Sequence, residues 1–154
     1  MQGTKPAGFK GGELEMSERA PAKCRVLIVE DEWFLANDLE AALRSLGAEV
    51  TAIVGDIGDA RVQLADGRFD VAIIDINLRG CNAFGLADEL QRQGIPFVFA
   101  TGYSAELIPA RFANVSRFEK PFDPHVLARY VLQLWHGGSP AKKTEKNEDR
   151  AAAH

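Results

Sequence analysis

With 154 residues, 46% of them hydrophobic and 26% charged, the chain has room for one core, which excludes a wholly disordered protein. A formal net charge of −4 supplies no basic field to neutralise phosphates, so direct nucleic-acid binding is not expected. No apolar run approaches the roughly 18 residues of a membrane span, and the Gly- and Lys-dotted start lacks a signal-peptide core, so no membrane partner and a cytoplasmic location are expected.

Residues 1–22 carry Gly3, Gly8, Gly11, Gly12, Pro6 and Pro21 without hydrophobic periodicity and are expected to be a disordered extension. One domain is expected over 23–136. Residues 26–29 form a continuous apolar run, the mark of a central strand covered on both faces. Leu35, Leu39, Ala42, Leu43 and Leu46 then fall on one helical stripe, which Gly47 stops. Residues 50–54 predict a weaker edge strand, 57–64 a short amphipathic helix and 71–74 a second central strand. A helix over 84–90 and a strand over 95–100 follow. The next crossover has only residues 102–114, close to the minimum for a parallel connection of roughly a dozen, and Pro109 interrupts it. An edge strand over 115–119 leads to a last helix, with Asp123 as N-cap, Pro124 at its first position and Leu127, Tyr130, Val131 and Leu134 on its buried face. Residues 137–154 are polar and are expected to be a second disordered tail. Cys24 and Cys81 lack zinc-site spacing and are too few for a disulfide framework.

Strands alternating with helices predict an open, doubly wound α/β sheet of five parallel strands, with an irregular fourth crossover. Ligands bind such sheets beyond the carboxyl ends of the strands. There the sequence places Glu30 and Asp31 after the first strand, Asp75 after the third, Thr101 after the fourth and Lys120 after the fifth. Acids ahead of a helix commonly answer its dipole, a lone threonine suits a strand, and a lone lysine is usually a surface residue. Jointly, four polar strand ends in an apolar sheet describe phosphoryl transfer. Gathered carboxylates repel by roughly 4 kcal/mol per pair at about 4 Å and an effective dielectric of about 20, a repulsion that Mg²⁺ relieves. Asp75 is the expected nucleophile, forming an aspartyl-phosphate.

The runs Val29-Glu30-Asp31-Glu32, Asp75-Ile76-Asn77-Leu78, Thr101 and Lys120-Pro121-Phe122 resemble the response-regulator receiver domain over residues 25–136. That resemblance implies a flavodoxin-like (βα)5 fold with strand order 2-1-3-4-5. It implies Mg²⁺ on Asp31, Asp75 and the backbone carbonyl of Asn77, with Glu30 acting largely through water. It also implies phosphoryl oxygens held by Thr101 and Lys120, a cis Lys120-Pro121 peptide, and Tyr103 overhanging the phosphoryl group. Arg117 stands where the family usually has a switching aromatic, so an aromatic rotamer switch is not implied. Phe99-Ala100-Thr101-Gly102-Tyr103 is similar to the FAT GUY subfamily, many of whose members are single-domain regulators paired with sensor histidine kinases of the HWE or related type.

Three other readings fit these residues less well. A magnesium-dependent hydrolase of the haloacid-dehalogenase type needs Asp-x-Asp, and Asn77 holds the second position. A flavodoxin-type carrier would use Gly55-x-x-Gly58, more readily a turn entering a helix. A pure interaction module would not need the complete acidic set. The expected output is contact with a downstream protein, or draining phosphoryl groups as a sink, after transfer from a histidine kinase or phosphotransfer protein. The fourth crossover is expected to be mobile without metal and to order on phosphorylation, forming a partner face with Arg117 and the last helix.

Overall fold

The computed structural model describes residues 22–137. The expected tails therefore lie outside the described residues, apart from their innermost positions. Strand β1 (Arg25–Val29) is followed by α1 (Trp33–Ser45), β2 (Glu49–Val54), α2 (Ile57–Asp66) and β3 (Val71–Ile74). A small hairpin, β4 (Asn77–Leu78) with β5 (Cys81–Asn82), precedes α3 (Phe84–Arg92) and β6 (Phe97–Thr101). Two 3₁₀ turns, Ala105–Leu107 and Ala110–Phe112, lead to β7 (Arg117–Glu119) and α4 (Pro124–Trp135).

The main sheet has the order β2-β1-β3-β6-β7 with every pair parallel, the flavodoxin-like order expected. Alternation along each strand divides the core. Val26, Ile28, Ile73 and Val98 point to the face covered by α1 and α4, where Leu39, Leu43, Leu127 and Val131 meet them. Leu27, Val29, Ile74 and Phe99 point to the other face, against Leu64 of α2 and Leu86 and Leu90 of α3. Both faces of β1, β3 and β6 are thus covered, which is why these strands are continuously apolar.

Local chemistry sets the ends of the elements. Gly47, at φ 90°, closes α1 by donating to the Arg44 carbonyl at 3.0 Å. Asp123 accepts the His125 N–H at 2.9 Å, with Pro124 at the first helical position of α4. Asp56 does the same for α2, accepting from Asp59 N–H at 2.8 Å, so Gly55-x-x-Gly58 is a turn into a capped helix. β6 starts two residues later than expected because Ile95 N–H still bonds the Leu90 carbonyl behind α3. β7 is shorter than the expected 115–119 because Val115 N–H closes the second 3₁₀ turn onto the Phe112 carbonyl. The β4–β5 hairpin has no counterpart in the expected elements; two-residue strands are too short for a period to show.

Candidate functional site

Register builds the site. Val29 of β1 pairs with Ile74 of β3, so Glu30 and Asp75 leave the sheet side by side. The Asp75 N–H continues the ladder onto the Val29 carbonyl at 2.8 Å. Thr101 ends β6 opposite Glu119 of β7, and the next residue, Lys120, donates its N–H to the Thr101 carbonyl at 3.1 Å before a cis bond to Pro121.

Glu30 and Asp75 are 3% and 5% exposed and Thr101 is fully buried. The Lys120 ammonium lies among the acids, donating to Asp75 Oδ2 at 3.0 Å, Glu30 Oε2 at 3.2 Å and Glu32 Oε1 at 3.4 Å. It also lies 3.0 Å from Glu30 Oε1, but out of hydrogen-bond alignment, so this buried oxygen has no hydrogen-bond donor among the described residues. Burial pushes the Glu30 carboxyl up to about 7, helped by the Asp75 charge and opposed by the Glu32 N–H and Lys120. For Lys120, burial works against the charge, but hydrogen bonds to Asp75 and Glu30 outweigh it and move the amine up to about 12.

One cation therefore serves several acids. Glu30, Asp31 and Asp75 each offer a carboxylate oxygen, all within 4.8 Å of one another. An all-oxygen set in which one ammonium serves several acids fits a hard divalent cation. The acids are also tied locally: Glu30 accepts the Glu32 N–H at 2.9 Å, Asp75 accepts the Asn77 N–H at 3.2 Å, and Asp31 accepts the Arg79 N–H at 3.1 Å. Glu32, the N-cap of α1, makes no side-chain cap, so the acids at this helix start are not there to cap it.

These groups line an open cavity of about 550 Å³ that takes in Asp31, Asp75, Asn77, Thr101, Tyr103 and Lys120. Thr101 Oγ1 accepts the Tyr103 N–H at 3.0 Å, which leaves its own proton available to donate. Tyr103 is half-buried and packs edge-on against Phe84 at 5.9 Å. Another hollow, of about 380 Å³, lies at the amino ends of β6 and β7 beside Tyr130. It holds no acid, lysine or arginine, unlike the cavity at the carboxyl edge. Arg117 does not line the acidic cavity; it pairs with Phe99 in the sheet, with its guanidinium 3.7 Å from Glu119. Sequence reasoning missed two residues at the cavity. Glu32, the third carboxylate on Lys120, looked like an ordinary acid before a helix, and Arg79 sits on the unrecognised hairpin.

Residues 26–131 match the family described as the response regulator receiver domain. The chain belongs to that family. Among curated relatives, the receiver domain is 28% identical to the sensory transduction protein LytT of Bacillus subtilis (strain 168) over 127 residues, which cover 80% of this chain and 53% of LytT. It thus spans about half the length of that relative. Among solved structures, it superposes on SdrG from Sphingomonas melonis Fr1 with a TM-score of 0.65 and 36% identity, covering 76% of this chain and 99% of SdrG. The BeF₃-activated conformation of SdrG, attributed to Pseudomonas melonis Fr1, matches with a TM-score of 0.63 at 36% identity, covering 75% and 99%. A receiver domain places this chain in two-component signal transduction. No helix among the described residues is long and apolar enough to cross a membrane.

Proposed function

We propose that this receiver domain accepts a phosphoryl group on Asp75 from a sensor histidine kinase or a phosphotransfer protein. The observation that carries the reading is the buried Asp75 carboxylate held 3.0 Å from the Lys120 ammonium at the carboxyl edge of the sheet. We assign Mg²⁺ to Glu30, Asp31, Asp75 and the backbone carbonyl of Asn77, where it neutralises charge on the phosphoryl oxygens when bound. An Asp75 oxygen forms the new P–O bond as the P–N bond to the donor imidazole breaks, and that bond's electron pair stays on the ring nitrogen. Lys120 and the free proton of the Thr101 hydroxyl then hold phosphoryl oxygens. Tyr103, on the cavity wall, obstructs the water that would hydrolyse the acyl phosphate.

A regulator that works without a fused output domain is the form we propose, on the resemblance of Phe99-Ala100-Thr101-Gly102-Tyr103 to the FAT GUY subfamily. Its kinase would then be of the HWE or related type, and its output either contact with a downstream protein or service as a phosphate sink in the cytoplasm. The BeF₃-activated form of SdrG supports a switch that answers to a phosphoryl-like group. With Arg117 in place of an aromatic, that switch does not run through a ring rotation at this position. Incubation with Mg²⁺ and a phosphorylated HWE-type kinase, and separately with acetyl phosphate, tests the reading. The parent should acquire a hydroxylamine-sensitive label and Asp75→Asn should not, with its circular dichroism unchanged. Label on His125 or His136 would assign different chemistry.

A further inference from the structure

The turn from β4 to β5 has Arg79 and Gly80 at its two central positions, at φ 52° and 86°. Positive φ at both is the pattern of a type I′ hairpin turn, which favours Asn, Asp and Gly. Arg79 is the one non-glycine residue at positive φ among the described residues, in a conformation that crowds its Cβ. This turn brings Arg79 to the acidic cavity. Its N–H holds Asp31 Oδ2 at 3.1 Å, and its guanidinium reaches toward β2, with Nη2 3.4 Å from where a Cβ on Gly55 would stand. Arg79 lines the same cavity as Asp31, Asp75 and Lys120, and its guanidinium makes no hydrogen bond or ion pair with the described residues.

The charges around it are unbalanced. Glu30, Glu32 and Asp75 share the single ammonium of Lys120, and Asp31 is the fourth acid. A divalent cation added to Lys120 still leaves one negative charge, which an anionic phosphoryl donor would meet on entry. We propose that Arg79 helps bind the phosphodonor: from the β4–β5 turn it supplies the cation that lets an acidic cavity admit an anionic phosphoryl group. This role rests on Asp75 being the phosphoacceptor. It is distinct from that of Lys120, whose ammonium is already engaged by three carboxylates.

Arg79→Asn isolates the charge, because asparagine tolerates positive φ and keeps the N–H that holds Asp31. Phosphorylation of the full chain by acetyl phosphate with Mg²⁺ at low ionic strength should slow by about fivefold in Arg79→Asn and stay near the parent rate in Arg79→Lys. The gap should close at 1 M salt, where the screening length is about 3 Å. Affinity for Mg²⁺ alone should stay constant or tighten in Arg79→Asn, since a nearby positive charge has gone. A structural role would act in the opposite direction, weakening Mg²⁺ binding along with the rate, and would persist at high salt; either result overturns the proposal. Equal rates for Arg79→Asn and a labelled parent at low salt would remove the role of Arg79 alone. A parent that takes no label, like Asp75→Asn, would remove the phosphoacceptor reading and this role together.

Discussion

Lys120 faces three carboxylates and can neutralise only one of them, so the acidic edge is held together against repulsion. Relieving that repulsion should stabilise the metal-free protein. Asp31→Asn retains an oxygen to accept the Arg79 N–H, and it should raise stability in urea unfolding by about 1 kcal/mol while weakening Mg²⁺ binding. If it does neither, the acids do not act as one cluster. Lys120→Ala should act the other way: stranding buried Glu30 and Asp75 should cost about 3 kcal/mol in the absence of metal. Its Mg²⁺ binding should persist while the phosphorylation-linked change is lost, as the proposed role of the ammonium on the phosphoryl group requires. Tyr103→Ala should speed spontaneous dephosphorylation, measured as loss of label after donor removal; slower or unchanged loss would reassign Tyr103 to packing on Phe84.

The fourth crossover divides into two unlike turns. Ala105–Leu107 buries nothing, and Leu107 is 59% exposed. Ala110–Phe112 is anchored: Phe112 is fully buried among Phe84, Phe97 and Phe99, and Arg111 forms a two-pronged ion pair with Asp88 of α3 at 2.7 and 3.1 Å. The mobility expected of the whole crossover is therefore predicted only for its first turn, next to the cavity residues Thr101 and Tyr103. Amide exchange at residues 104–108 should be fast without metal and slow after phosphorylation, while Phe112 stays protected throughout. First-turn amides already as protected as those of α1, and unchanged by phosphorylation, would remove this ordering step. Phe112→Ala should cost about 3 to 5 kcal/mol, against less than about 0.5 for Leu107→Ala, both read from urea unfolding.

At the scale of the molecule, the two ends of the sheet have different tasks. The amino end is a clamp: Asp70 Oδ2 accepts the Arg25 backbone N–H at 2.9 Å, and the Arg25 guanidinium bonds both Asp70 oxygens, tying β1 to β3. The Arg25 side-chain hydrogen bonds hold the Asp70 carboxyl below its ordinary range. A carboxyl depressed in the folded state contributes stability above its unfolded pKa, and that contribution is lost as pH falls through the folded value. Solvent screens the pair, so Asp70→Asn should lower stability at pH 7 only modestly while flattening the acid side of the stability profile. The carboxyl end gathers the acids, because register keeps Glu30 and Asp75 level. By itself the sequence determined the order of the main-sheet strands and the four helices, the covered central strands, the caps at Asp123 and Gly47, and the acids, Thr101 and Lys120 at strand ends. Each of these depends on neighbours within a few positions, where periodicity and capping act. Only the tertiary structure decided that Lys120 spans Asp75, 45 positions away, and Glu30, 90 positions away. The same holds for the turn that brings Arg79 to Asp31 across 48 positions and for the burial that leaves Glu30 Oε1 without a donor. Those distances come from strand order and register, which pair residues far apart in the chain and leave no local pattern.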